Sequence, residues 1–147
     1  MKVLIILLAL SLPFLEDIRK NEADLDNCVI LLIQPIACHK CYVEIDESIR
    51  EIKNRKFNYY ILLESERRVT SRKAAISIYE KNHGLKPDKF IFARDSEAYK
   101  KFQEDEGLTY SPVLILIKNG KTEIYSYNDI FRKEGNRIDE ILGKITE

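Results

Sequence analysis

The apolar residues of this chain change their spacing several times, and each spacing predicts a different element. Residues 29–33 are continuously apolar, which is typical of a central strand buried on both faces. From residue 38 to about residue 53 the apolar residues recur every three or four positions, with Ile45, Ile49 and Ile52 separated by charged residues. This second stretch is therefore predicted to be a helix with one buried face.

The same criteria divide the rest of the chain into further strands and helices. The strands are predicted at residues 57–63, 89–93, 112–117 and 121–127. Two helices are predicted at residues 96–105 and at about residues 137–146. A further helix is predicted to begin after Thr70 or Ser71 as its N-cap and to end at Gly84 as its C-cap. The helix before Gly84 has an apolar side made of Ala74, Ala75, Ile78 and Tyr79. Asn119-Gly120 is the strongest hairpin signal in the chain.

Strands and helices thus alternate along most of the chain, in the order β-α-β-α-β-α-β-β-α. Alternating elements give a parallel core, and the closing hairpin adds antiparallel strands. The predicted fold class is α/β, with a central mixed β-sheet flanked by helices. A length of 147 residues fits one domain with a real hydrophobic core.

The charge balance narrows the classes of partner. The chain has 24 basic and 24 acidic residues, so its formal net charge is zero. Proteins that bind nucleic acids or anionic membranes through bulk charge carry a basic excess. We therefore expect no nucleic-acid partner.

A cysteine pair stands where the first strand gives way to the first helix, in the tetrad Cys38-His39-Lys40-Cys41. A CxxC pair in this context is typical of a thiol–disulfide redox site. The positive end of the helix stabilises a thiolate on Cys38 and lowers its pKa below the free value of about 8.5. Protonated His39 and Lys40 act in the same direction. Cys38 is therefore predicted to attack a partner disulfide, and Cys41 to resolve the mixed disulfide.

Two alternatives give the cysteines a structural role, as a structural disulfide or as half of a zinc site. Zinc needs further cysteine or histidine ligands, and only Cys28 and His83 remain, at no ligand-like spacing. Cys28 is interpreted as a small buried residue, because the strand would place it about 23 Å from the tetrad. His83 is interpreted as a polar residue at a helix end. No metal and no cofactor are expected.

The first residues of the chain predict a targeting segment. Residues 3–15 form an apolar run of about 13 residues after one positive charge at Lys2. This fits a secretory signal better than a spanning helix, which needs about 20 residues. Residues 1–15 are predicted to be a signal peptide or N-terminal membrane anchor, with residues 16–27 as a lead-in and residues 28–147 as the domain. The domain would then work outside the cytoplasm, periplasmic or tethered to the membrane; if the run is instead the first element of the domain, a cytoplasmic location stays open.

Residues 109–120, Thr-Tyr-Ser-Pro-Val-Leu-Ile-Leu-Ile-Lys-Asn-Gly, resemble the cis-proline segment of the thioredoxin superfamily and the hairpin after it. The resemblance covers about residues 28–147 and implies a thioredoxin-like fold. It implies that Pro112 is the cis-proline beside the cysteines and that Ser111 offers its backbone to substrate. The extra strand and helix at about residues 89–105, a βα insertion before the cis-proline strand, look like the membrane-anchored or periplasmic TlpA-type and redoxin branch.

Three positions depart from the family pattern. Many relatives carry Trp before the first cysteine, where this chain has Ala37, and a buried acid in the preceding strand, which would fall at the apolar Leu32. The usual proline within the tetrad is replaced by His39-Lys40. Because positive charge stabilises the thiolate, this insert indicates a less reducing pair than that of thioredoxin.

The sequence therefore predicts an enzyme, a thiol–disulfide oxidoreductase that exchanges disulfides with protein substrates and with a redox partner protein. A peroxiredoxin-like peroxidase is the less favoured enzyme, because Pro35 stands where that family has a Thr or Ser three residues before its reactive cysteine. The alternative from another class is a thioredoxin-fold binding or adaptor module whose cysteines are structural.

Overall fold

The computed structural model describes residues 27–33, 39–55, 58–63, 69–92, 96–108, 110, 112–132 and 135–146. Some of these residues, among them His39, Lys40 and Cys41, are described by their backbone alone. The strands are β1 (Cys28–Ile33), β2 (Asn58–Leu63), β3 (Phe90–Phe92), β4 (Val113–Lys118), β5 (Lys121–Tyr125), β6 (Phe131–Arg132) and β7 (Gly135–Asn136). The helices are α1 (His39–Asn54), α2 (Val69–His83), α3 (Ser96–Asp105), α4 (Tyr127–Ile130) and α5 (Ile138–Thr146), with a 3-10 turn at Pro87–Lys89.

Five strands form one mixed sheet in the order β3-β2-β1-β4-β5. β1 lies in the centre, parallel to β2 and antiparallel to β4. β3 extends the parallel half, and β5 extends the antiparallel half through the hairpin. All six residues of β1 are buried, which confirms that the continuous apolar run is the central strand.

The side chains of β1 alternate between two hydrophobic cores. Val29, Leu31 and Ile33 pack in one core, and Ile30 and Leu32 pack in the other. Helices α1 and α5 supply the first core with Ile45, Ile49, Ile52, Ile138, Ile141, Leu142 and Ile145, whereas α3 supplies the second core with Phe102. Helices therefore cover both faces of the sheet, as the sequence predicts.

Helix α2 differs from its prediction at two points. It begins at Val69, so Thr70 and Ser71 lie inside its first turn and not at the N-cap. Tyr79 is buried as expected, but the side chain of Ile78 is 54% exposed. The spacing of apolar residues identified the helix, but it did not identify which of two adjacent side chains meets the core.

Both predicted turn signals are confirmed by backbone conformation. Gly84 has φ 62°, and its amide donates to the carbonyl oxygen of Glu80 at 2.8 Å, which ends α2 with a glycine cap. Asn119 and Gly120 have φ values of 52° and 72°, the left-handed pair that a tight hairpin requires.

The segment between β5 and α5 was not predicted. The returning strand ends at Tyr125, two residues earlier than expected, because Ser126 caps the short helix α4. The Ser126 amide donates to Asp129 Oδ2 at 2.9 Å, and the Asp129 amide donates to Ser126 Oγ at 3.4 Å. The small antiparallel hairpin β6–β7 then leads into α5.

The predicted signal or anchor at residues 1–15 and nearly all of the lead-in at residues 16–27 lie outside the described residues. Among the residues that the structure does describe, no helix combines the length and the apolar character needed to cross a membrane. The division of the chain into these segments therefore stays a prediction.

Candidate functional site

Three residues of the cysteine tetrad, from His39 to Cys41, begin helix α1, which is the element after the central strand β1. β1 ends at Ile33 and α1 begins at His39, so Cys41 is the third residue of the helix. Cys38 lies outside the described residues, one position before the helix. The first turn of a helix presents unpaired amide groups and partial positive charge, the environment that lowers a thiol pKa.

Pro112 lies beside the carboxyl end of β1, the strand that precedes α1 in the chain. In the antiparallel pair of β1 and β4, Leu32 is opposite Val113. Pro112 is buried and directly precedes Val113, so it lies beside the end of β1 from which the chain leads to the tetrad. That Pro112 lies close to the cysteines stays a prediction, and Ser111, the predicted substrate contact, lies outside the described residues.

A buried carboxylate on α1, Glu44, was missed in the sequence. Its side chain is only 8% exposed, and it stands three residues after Cys41, a spacing that places the two positions on one side of the helix. The Tyr127 hydroxyl donates to Glu44 Oε1 at 2.9 Å. One turn further, the buried Ser48 Oγ donates to the Glu44 carbonyl oxygen at 2.7 Å.

A signal for this polar stripe does exist in the sequence. Glu44 and Ser48 are four residues apart, and each directly precedes a buried isoleucine, Ile45 or Ile49. They therefore border the apolar face of α1. At Leu32, where the family pattern has a buried acid, the side chain is apolar and 2% exposed, so the buried carboxylate of this region comes from the helix.

Tyr127 belongs to a small aromatic cluster that reaches the segment before Pro112. Its ring lies 5.9 Å from that of Tyr110 and 5.4 Å from that of Phe131, centroid to centroid. Both pairs are tilted, a favourable arrangement for aromatic rings. Tyr110 is 60% exposed and stands two residues before Pro112.

Tyr110 is the exposed apolar side chain closest in the chain to Pro112. Among the described residues, the exposed large hydrophobic side chains are Val43, Ile78 and Tyr110. Val43 is 46% exposed, but it follows Cys41 by two positions, a spacing that puts the two on different sides of the helix.

The remaining histidine and cysteine lie away from the tetrad. His83 Nε2 is 2.7 Å from Asp46 Oδ1, and its ring stacks on Tyr79, so His83 joins α2 to α1. His83 is the polar residue at a helix end that the sequence predicts, and its contact with Asp46 gives it a structural role as well. Cys28 is buried at the opposite end of β1 from the tetrad, as expected.

Within the part of the chain that the structure describes, no group of three or more His, Cys, Asp or Glu side chains is arranged to hold a metal ion. The expectation that the protein uses no metal and no cofactor stays a prediction.

The fold is identified by comparison with known structures. No family model matches the sequence, and no curated protein sequence matches it. The structure is similar to that of DsbF from Mycobacterium tuberculosis in its mixed oxidized and reduced forms, with a TM-score of 0.52 and 13% identity over 83% of this chain and 80% of that chain. It is also similar to a secreted Mycobacterium tuberculosis disulfide oxidoreductase homologous to Escherichia coli DsbE, with a TM-score of 0.51 and 11% identity over 82% of this chain and 81% of that chain.

At these identities the likeness establishes the fold alone, and the fold is thioredoxin-like. The central mixed sheet flanked by helices agrees with this class and confirms the prediction. β3 and α3 precede β4, at the place where the resemblance predicts the additional βα unit. That this unit is an insertion relative to thioredoxin itself stays a prediction.

Proposed function

We propose that this protein is a thiol–disulfide oxidoreductase that works through Cys38 and Cys41. The observation that carries the proposal is the position of Cys41 on a thioredoxin-like fold. Cys41 lies in the first turn of the helix that follows the central strand, and Pro112 directly precedes the neighbouring strand β4, beside the end of β1. This arrangement suits a helix-activated thiolate with an extended polypeptide beside it.

The proposed reaction begins with the Cys38 thiolate. Its sulfur attacks one sulfur of a partner disulfide, and the other partner sulfur leaves as a thiolate that takes up a proton. Cys41 then loses its proton, attacks the Cys38 sulfur and releases the second partner sulfur. The partner gains two electrons and the cysteine pair is oxidised; the reverse sequence transfers a disulfide to the partner. His39 and Lys40 supply positive charge that favours the thiolate of Cys38.

The proposed substrates are protein disulfides or dithiols, with a redox partner protein that resets the pair. Ser111 and Pro112 are proposed to receive the substrate backbone. The exposed side chain of Tyr110 supports a polypeptide substrate, because it offers an apolar contact two residues before Pro112. The neutral net charge offers no support for nucleic acid as a partner.

The proposed location is outside the cytoplasm, and the proposed relatives are the TlpA-type and redoxin branch of the superfamily. The apolar run at residues 3–15 supports an export signal or a membrane tether. One of the two similar structures is that of a secreted protein, which agrees with this location. In such compartments disulfides form and persist.

A trapping experiment with oxidised glutathione tests the proposal. The full chain and its Cys38→Ser, Cys41→Ser and Cys28→Ser variants are incubated with the probe near pH 7 and analysed by intact mass. We expect Cys41→Ser to keep a glutathione adduct on Cys38, and the wild-type chain to proceed to an internal disulfide. Cys28→Ser is the matched control; it should behave as wild type, because Cys28 is buried at the far end of β1.

The proposal is wrong if Cys41→Ser and Cys38→Ser acquire glutathione equally slowly, with rates typical of an ordinary thiol. That result would favour an adaptor module with structural cysteines. The intact mass of the protein recovered from the envelope and from the cytosol of the expressing cells tests the location. Removal of residues 1–15 indicates export, whereas a chain that remains in the cytosol with these residues attached contradicts it.

A further inference from the structure

We propose that Tyr127 is a positioning residue of the redox site, acting through the carboxylate of Glu44. The inference rests on the proposed function, because it assigns the hydroxyl a part in the step in which Cys41 resolves the mixed disulfide. Tyr127 lies in α4, the short helix between β5 and α5 that was not predicted from the sequence.

The first step of the argument is the position of the carboxylate. Glu44 follows Cys41 by three residues in α1, so the two positions are neighbours on one side of the helix. Its side chain is 8% exposed, and a buried carboxylate needs hydrogen-bond donors to be tolerated. A carboxylate at this position of the helix is proposed to accept the proton that Cys41 must lose.

The second step is the hydrogen bond that orients this carboxylate. The Tyr127 hydroxyl donates to Glu44 Oε1 at 2.9 Å, a normal length for such a bond. Glu44 and Tyr127 are 83 residues apart in the chain, so the bond ties α1 to the segment after the hairpin. This hydrogen bond restricts the orientations that the Glu44 carboxylate can adopt.

The third step is the rigidity of the tyrosine itself. Tyr127 is the first residue of α4, directly after the capping box that Ser126 forms with Asp129. Ile130, at the end of the same helix, is fully buried in the core that also contains Ile45 and Ile49 of α1. The ring is further held between Tyr110 and Phe131. These contacts restrict the movement of the Tyr127 ring and keep its hydroxyl close to Glu44.

In the assisted step, Cys41 resolves the mixed disulfide between Cys38 and the partner. The Cys41 thiol gives its proton to the Glu44 carboxylate, and the Cys41 sulfur attacks the Cys38 sulfur of the mixed disulfide. The bond between Cys38 and the partner sulfur breaks, and the partner leaves as a thiolate with the electron pair of that bond. The proton then passes from Glu44 to the departing thiolate or to water. Tyr127 keeps its own proton throughout.

The experiment measures how fast the glutathione adduct of Cys38 is converted to the internal disulfide, from pH 6 to pH 9.5. Tyr127→Phe keeps the ring and removes the hydroxyl. We expect about a tenfold slower conversion at pH 6–7, a part of the 10²–10⁴-fold that a placed base contributes. The difference should vanish toward pH 9.5, where Cys41 ionises without help, since a free thiol has a pKa of about 8.5.

Tyr125→Phe is the matched control, because it removes the hydroxyl of a nearby tyrosine whose partners are Glu123 and Lys144. It should convert the adduct at the wild-type rate at every pH. A second test uses Glu44→Gln, which can still accept a hydrogen bond but cannot take a proton. Adding Tyr127→Phe to Glu44→Gln should cause no further slowing.

Two results overturn the inference while leaving the proposed function intact. One is a Tyr127→Phe variant that matches wild type across the pH range; the other is an equal slowing in the presence and absence of Glu44→Gln. If Cys41→Ser forms no glutathione adduct at Cys38, the proposed function itself fails. Urea unfolding of each variant distinguishes a loss of catalysis from a loss of fold.

Discussion

Two glycines that look alike in the sequence have opposite backbone requirements. Gly84 ends α2 with φ 62°, a left-handed conformation that costs other residues about 1–2 kcal/mol. Gly143 lies inside α5, has no left-handed φ, and a β-carbon built on it would meet no atom within 4 Å. The same substitution should therefore have opposite effects at the two positions.

We predict that Gly84→Ala lowers the free energy of unfolding by about 1 kcal/mol, because alanine resists the conformation of the cap. Gly143→Ala should raise it by about 0.5–1 kcal/mol, because alanine is the better residue inside a helix. Urea unfolding of the two variants beside wild type measures both effects. Equal destabilisation of both would contradict the different backbone conformations assigned to the two glycines.

The limits of sequence reasoning at this scale are clearest at Ile78 and Glu44. The pattern placed Ile78 with Tyr79 on the apolar side of α2, but only Tyr79 packs against Phe90 and the ring of His83. Glu44 looked like one of several solvated acids of α1. It is buried because a tyrosine far along the chain covers it, and helical spacing carries no information about that partner.

At the scale of elements, a chain of polar contacts connects strand β5 to helix α5. The Lys144 ammonium donates to the Tyr125 hydroxyl at 2.6 Å and lies over the same ring, and the Tyr125 hydroxyl donates to Glu123. Burial, followed by the hydrogen bond to Glu123, raises the pKa of Tyr125. The hydrogen bond to Tyr125 raises the pKa of Lys144.

These directions predict a loss of stability at high pH. A group whose pKa is raised by folding stabilises the fold below its unfolded pKa and loses that contribution as the pH rises through the folded value. For Tyr125 and Lys144 the unfolded values are about 10 and 10.4, so the free energy of unfolding should fall above about pH 10. Burial and Asp88 also raise the pKa of Tyr59, which adds to the effect with the same sign.

Urea unfolding at pH 8, 10 and 11 measures this dependence. Tyr125→Phe removes one titrating group and the hydrogen-bond partner of Lys144, so this variant should lose less of its pH 8 stability at pH 11 than wild type does. A fall of equal size in both proteins would exclude the contacts of Tyr125 as a source of the alkaline instability. A free energy of unfolding that does not change between pH 8 and pH 11 would contradict the pKa directions themselves.

The element that the sequence missed, α4, explains why the site was only partly foreseen. α4 is four residues long, too short for a period of apolar residues to be visible. Its one local signal is the spacing of Ser126 and Asp129, which is a capping pattern. The pattern could have located a helix start, but not the hydrogen bond of Tyr127 to Glu44, which depends on tertiary packing.

At the scale of the whole molecule, the fold was predictable because its signals are local and agree with one another. A continuous apolar run gave the central strand, alternation of elements gave the parallel half of the sheet, and Asn119-Gly120 gave the antiparallel half. Together they specify a mixed sheet with β1 in the middle. In this thioredoxin-like fold, Pro112 lies beside the carboxyl end of β1, from which the chain leads to α1.

The reduction potential of the Cys38–Cys41 pair tests the proposed function most directly. The full chain is equilibrated against glutathione buffers of graded composition, and the dithiol and disulfide forms are quantified after alkylation, with Cys41→Ser as the variant that cannot form the pair. We predict a potential between about −120 and −230 mV, as for glutaredoxins, disulfide isomerases and DsbA-type oxidants, because His39 and Lys40 favour the thiolate. A value near −270 mV would still describe an exchanging couple, of the reducing thioredoxin kind. A pair far below about −300 mV, or one that never forms a disulfide, would contradict the account and leave a thioredoxin-fold module with structural cysteines.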